Sequence, residues 1–166
     1  EALATNLYAD GAAVLGSKIW VKDYDGTDTL KWLYSLRNTG LIKLNEDIVV
    51  PRSRLVDLVD FAEQLQARHG FPVACFGHAG DGNMHVNFLW NDDSERPAVD
   101  RAIDALMRAT IGLGGTLSGE HGIGVSKAAY LPIEQGPELV SLQQDVKRVF
   151  DPSGLLNPGK IFPTGH

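Results

Sequence analysis

Two histidines, His78 and His85, stand on either side of the bend Ala79-Gly80-Asp81-Gly82 in a chain of 166 residues. The flanks Val73-Ala74-Cys75-Phe76 and Val86-Asn87-Phe88-Leu89 read as short strands, so a hairpin folds one imidazole back toward the other. Glycine accepts positive φ without a Cβ penalty, and Asp81 and Asn83 suit turns. Neutral imidazole is the commonest side-chain ligand of divalent metals, and a hairpin-linked pair of histidines is one way to present two nitrogens to one ion. The bland alternative is a polar hairpin with one buried and one exposed histidine.

The stretch 114–127 supplies a third ligand type. Glu120 and His121 lie inside Ser118-Gly119-Glu120-His121-Gly122-Ile123-Gly124. Neighbouring side chains on extended backbone point in different directions, so one residue is expected to ligate and the other to act as a free base. His78, His85 and Glu120 make a two-imidazole, one-carboxylate set, the composition of a catalytic site with open positions rather than of a closed structural one. Such a set accepts several ions, zinc and manganese foremost. A phosphate-binding reading fails on spacing. Gly122 and Gly124 lack the third glycine of the dinucleotide fingerprint, and Gly119 to Lys127 does not fit a P-loop.

These stretches, together with Asp151-Pro152-Ser153-Gly154-Leu155-Leu156-Asn157-Pro158-Gly159-Lys160, resemble the C-terminal domain of FAD-linked oxidases. That family holds the D-lactate dehydrogenases, the glycolate oxidase FAD subunit and D-2-hydroxyglutarate dehydrogenase. The motifs G-H-x-G-D-G-N-x-H-x-N, S-G-E-H-G-x-G and L-N-P-G-K are matched in order, and the likeness runs from about Trp32 to Pro163. It implies an enzyme that oxidises a D-2-hydroxy acid to a 2-oxo acid with FAD and passes electrons to an acceptor. In this reading His121 takes the hydroxyl proton and the ion held by His78, His85 and Glu120 sits against substrate and cofactor. Asn87 contacts the substrate, and Asn157 makes a polar contact with the flavin.

Two further residues enter with the resemblance and compete with simpler roles. Arg37 is offered for the role of the carboxylate-binding arginine that relatives carry in a W-x-x-R pattern, although its spacing from Trp32 differs and a cation at a helix C-terminus also complements the dipole. Lys43 or Asn45 takes the position of a substrate-binding lysine in some relatives, against the alternative of a solvated strand edge.

Bulk properties set limits. A net charge of -6 argues against nucleic acid or an anionic membrane as partner. The hydrophobic content of 43% suffices for one ordinary domain. A lone cysteine, Cys75, excludes an internal disulfide and suits a reducing, cytoplasmic setting. No apolar run approaches the length of a membrane span.

Glu1 falls within a helix-like run, and no glycine-rich pyrophosphate loop occurs. Residues 1–166 are therefore expected to be a C-terminal substrate or cap domain, a fragment whose FAD-binding domain is absent, and inert alone as a dehydrogenase. A stand-alone metal hydrolase and a non-catalytic binding module are the other classes the residues allow.

The elements that must hold these groups follow from periodicity. Extended chain is expected at 13–16 and 18–22, a capped helix at 29–38, and a strand at 42–50. A helix capped by Ser53 and running to His69 carries Leu55, Leu58, Val59, Ala62 and Leu65 on one stripe, with Gly70 past its end. The hairpin follows. A helix at 98–111 comes next, then a short one ending at Leu131-Pro132, a last helix at 138–150 and an extended tail. The order β-α-β-β-α predicts an α+β fold, an antiparallel sheet with helices on one face of ferredoxin-like kind, incomplete at its N-terminal side. An open sheet edge makes a homodimer an expected partner arrangement.

Overall fold

The computed structural model describes strands at 13–15 and 18–20, Leu36, and residues 39–162. Strands β1 (Ala13–Leu15) and β2 (Lys18–Trp20) pair antiparallel in a small sheet of their own. The helix expected at the start of the chain, and that expected over 29–38 apart from Leu36, lie outside the described residues, Arg37 among them.

From residue 42 the expected order holds. Strand β3 (Ile42–Val49) leads into a short 3-10 turn and helix α1 (Leu55–His69); β4 (Val73–His78), β5 (Asn83–Trp90) and helix α2 (Arg96–Gly112) follow. The three strands form one antiparallel sheet in the order β3-β5-β4. Both strands of the hairpin are longer than apolar content suggested, because His78, Asn83 and His85 belong to the ladder rather than to the bend.

Alternation divides β5 between two environments. Met84, Val86, Phe88 and Trp90 join the main core with Leu58, Leu65, Val99, Leu106 and Met107 of the two helices. On the opposite face Leu89 packs with Phe76 and Leu36, and the remaining positions are polar. Gly70 ends α1 in the left-handed conformation expected of it. All five apolar residues of the α1 stripe are buried. Ser53 does not cap this helix; it lies in the preceding turn.

After α2 the chain reaches the outer edge of β3 but stays only for one bridge. Val49 and Thr116 exchange both backbone hydrogen bonds, at 3.1 and 2.9 Å. A fourth strand is thus reduced to a single residue pair, and the released backbone becomes the Ser118–Gly124 loop.

The end of the chain departs from expectation in three ways. Helix α3 (Leu131–Glu134) begins at Leu131 rather than ending there, since Pro132 is tolerated in a first turn where no N–H partner is needed. Helix α4 (Pro137–Phe150) carries an apolar stripe, yet Leu139, Leu142, Val146 and Val149 are all exposed. The tail is a series of turns, not an extended segment: Asp151 accepts the N–H groups of Leu155 and Leu156 and the Lys147 ammonium, and Asn157 adopts a φ of 47°. Among the described residues no helix is long and apolar enough to cross a membrane.

Candidate metal centre

The site lies on the sheet face turned away from α1 and α2. Register places Asp47, His85 and Phe76 side by side across the three strands, with Asn45, Asn87 and Ala74 in the next row. His78 pairs with Asn83 at the end of the ladder. That makes His78 a diagonal neighbour of His85 on the same face, within reach across a strand pair. Their rings stand 6.0 Å apart, nearly edge to face.

The bend that allows this is tightly specified. His78 O accepts from the N–H of Asp81 and of Gly82, and the Asp81 carboxylate accepts from Asn83 N at 3.0 Å. Gly82 has a φ of 85°, and a Cβ there would lie 2.1 Å from Val50 O. Both conformation and space therefore exclude a side chain.

Glu120 arrives from the loop after Thr116. One ligand atom from each of His78, His85 and Glu120 lies within 4.8 Å of the others. His85 Nε2 is 3.7 Å from Glu120 Oε1, and His121 Nε2 is 3.7 Å from the same oxygen. His121 also stacks on His85 at 5.6 Å between centroids. Glu120 and His121 therefore converge on one spot, contrary to the divergence expected of an extended segment. The reason is a carboxylate that bends the loop around itself.

That carboxylate is Asp47, which sequence reasoning missed. Its Oδ2 accepts the backbone N–H groups of Gly119 at 3.0 Å and of Glu120 and His121 at 2.8 Å each. Successive N–H groups turned inward on one oxygen form an anion-binding nest and leave the side chains of Glu120 and His121 outside it. A signal was present, since Asn45 and Asp47 share strand parity, but only the register shows that Asp47 faces His85.

A second clamp holds the loop from beneath. Lys127, 4% exposed, donates from Nζ to Asp47 O and Leu117 O and lies 3.6 Å from Glu46 Oε2. Glu134 accepts from Thr116 Oγ1 at 2.6 Å and Leu117 N at 3.0 Å.

Electrostatics suit a ligand set. Burial pushes the His85 pKa below its ordinary value against the opposing pull of Asp47 and Glu120, so the ring is held neutral with a lone pair to offer. Burial works to raise the Asp47 pKa, but the backbone donors His121 and Glu120, with the charges of His121 and Lys127, outweigh it and leave the carboxyl below its ordinary value.

Other expected residues fall at different distances from this centre. Asn87 is fully buried two residues beyond His85; its Nδ2 donates to Ala74 O and His85 O, each at 3.3 Å, and its Oδ1 has no partner. Asn45 lies opposite Asn87, half-buried, and its Oδ1 also lacks a partner. Asn157 is exposed in the terminal turns, and nearby Ile161 N donates to Gly124 O at 2.7 Å, tying the tail to the loop that bears Glu120.

The sequence motifs meet a known family. Residues 28–161 match the model of the FAD linked oxidases, C-terminal domain. The chain belongs to that family. Similar proteins include the glycolate oxidase subunit GlcD of Bacillus subtilis, 39% identical over 121 residues that cover 70% of this chain and 25% of the relative. A D-lactate dehydrogenase of Anaerostipes hadrus is 41% identical over 118 residues, 69% of this chain and 25% of the relative. A D-2-hydroxyglutarate dehydrogenase of Xanthomonas citri is 42% identical over 98 residues, 57% of this chain and 21% of the relative. The chain spans a quarter of the length of the first two of these relatives.

Proposed function

We propose that this chain is the substrate- and metal-binding part of a flavin-dependent dehydrogenase or oxidase that converts a D-2-hydroxy acid to a 2-oxo acid. It forms the C-terminal cap of a longer polypeptide whose other portion binds FAD. The observation that carries the reading is the convergence of His78, His85 and Glu120, with His121 beside them, on one face of the sheet.

The donors fit a divalent ion such as zinc or manganese: two imidazole nitrogens and one carboxylate, a set that would leave positions for substrate oxygens. When bound, such an ion supplies a Lewis acid and a template for the hydroxyl and carboxylate of a 2-hydroxy acid, and FAD supplies the hydride acceptor. The chain's own residues do the rest. His121 Nε2, half-exposed beside Glu120, accepts the hydroxyl proton as the C2 hydrogen leaves with its electron pair and the C2–O bond becomes a carbonyl. Asn87 and Asn45, in the row beside His85 and Asp47, are assigned to the substrate side. Phe76 and Leu89 keep this face dry beside them. Asn157 and Arg37 complete the set toward flavin and substrate carboxylate.

The stand-alone hydrolase reading uses the same ligands but draws no support from the family match. The outer edge of β3, bridged among the described residues at Val49–Thr116, remains the basis for a homodimer.

Elemental analysis and zinc titration of the purified chain test the reading. One equivalent of divalent ion is expected, with affinity reduced by roughly two orders of magnitude or more in His78→Ala and His85→Ala. An intact fold with no divalent ion bound at micromolar concentration, or equal binding by both variants, contradicts it.

A further inference from the structure

Asp47 has one oxygen with four donors and one with none. Oδ2 accepts Gly119 N, Glu120 N and His121 N, with Ser118 Oγ at 3.4 Å. Oδ1 is buried without a partner and faces His85 Nδ1, also buried without a partner, at 3.9 Å. The two orphaned atoms face each other. The space around them is filled, because a Cβ on Gly119 would sit 2.6 Å from Asp47 Oδ1 and 2.6 Å from Asn83 Oδ1. A residue that only clasped the loop would need Oδ2 alone. The second oxygen is buried, and the imidazole nitrogen of His85 faces it at 3.9 Å.

We propose that Asp47 is a positioning residue that aligns both halves of the ligand set, placing Glu120 through the loop amides and fixing the proton of His85 on Nδ1. With the proton there, the lone pair is on Nε2, the nitrogen nearer Glu120. The inference rests on the divalent-ion reading of His78, His85 and Glu120. A histidine ligand commonly donates its second ring nitrogen to a carboxylate, which orients the ring and strengthens it as a base. Here the same carboxylate also anchors the segment that carries the third ligand, so ring tautomer and loop position are set by one side chain.

Asp47→Asn separates the two tasks. The amide oxygen still accepts the three loop N–H groups, while the amide NH2 turns toward His85 Nδ1 as a donor. The ring proton is then driven to Nε2, where it blocks the ligand lone pair, the logic by which an Asp-to-Asn change beside a catalytic histidine enforces the wrong tautomer. The experiment is nitrogen NMR of histidine-labelled chain without metal, followed by zinc titration against a chromophoric chelator. Expected are an Nδ1–H tautomer for His85 in the unaltered chain, an Nε2–H tautomer in Asp47→Asn, and a zinc affinity reduced about 10- to 100-fold in the variant. An Nε2–H tautomer in the unaltered chain overturns the proposal, and so does a variant whose His85 tautomer and zinc affinity match the unaltered chain. If the variant does not fold, the tautomer of the unaltered chain decides. If no form binds zinc, the divalent-ion reading fails, while the tautomers still decide whether Asp47 sets the ring.

Discussion

The two faces of the β3-β5-β4 sheet are built from the same strands and obey opposite rules. Toward α1 and α2, Met84, Val86, Phe88 and Trp90 are buried against aliphatic side chains. Away from the helices, Asn83, His85 and Asn87 of the same strand are nearly as buried, and together with Asn45 and Asp47 they leave five polar atoms without a partner. Orphaned polar atoms in dry surroundings cost stability. One face therefore holds the fold together and the other holds groups ready for something from outside, and β3 and β5 each contribute to both.

Substitutions can break or sharpen that contrast, beginning with the largest. Phe88→Ala removes a fully buried ring from the helix-facing side and is expected to cost about 3–5 kcal/mol in urea unfolding. A loss below about 1 kcal/mol would mean that the apolar face is not where stability resides. Lys127→Met leaves Glu46 buried without its cation and is expected to cost about 3 kcal/mol near neutral pH.

The pH dependence of the Lys127→Met deficit has a definite sign. Burial already raises the Glu46 pKa above its ordinary 4.5, against the lowering effect of Lys127. Without Lys127 it rises further, so the folded state binds a proton more readily than the unfolded one, and the lost stability returns in part as pH falls through the folded value. Unfolding curves at several pH values check this; a deficit that grows on acidification would contradict it.

The smallest expected change is on the polar face. His85→Leu, measured with a chelator present, is expected to leave stability unchanged or raise it by up to about 1 kcal/mol, since a buried polar group with an unpaired nitrogen is replaced by one that needs no partner. A loss of 2 kcal/mol or more would show that His85 supports the fold and that the two faces are less distinct than their burial patterns indicate.

The apolar face was legible in the sequence, and the polar face only in outline. The stripes of α1 and α2 could be read because helical periodicity reports burial directly, and the His78, His85 and Glu120 trio could be read from residue type and the glycines around it. Asp47 could not. Its role depends on the β3-β5 register and on a loop 72 residues away, neither of which local pattern encodes. The α4 stripe shows the converse limit: amphipathic spacing identified the helix correctly, but spacing does not say what covers the apolar side, and in this chain Leu142 and Val149 stay exposed. Divergence of Glu120 and His121 failed for a similar reason, since the assumption of extended backbone ignored the carboxylate that curls it.

The single bridge between Val49 and Thr116 carries one more implication. A full ladder on that edge would have locked the following residues flat beside β3; release after one rung lets the chain swing over the end of the sheet. The acidic ligand and its neighbouring base thus hang from a fixed peg at Thr116, and their reach is set by counting residues. Adding or deleting a single residue between 116 and 120 would rotate a different side chain into the place of Glu120, so in this fold the chemistry is keyed to loop length as strictly as to residue identity.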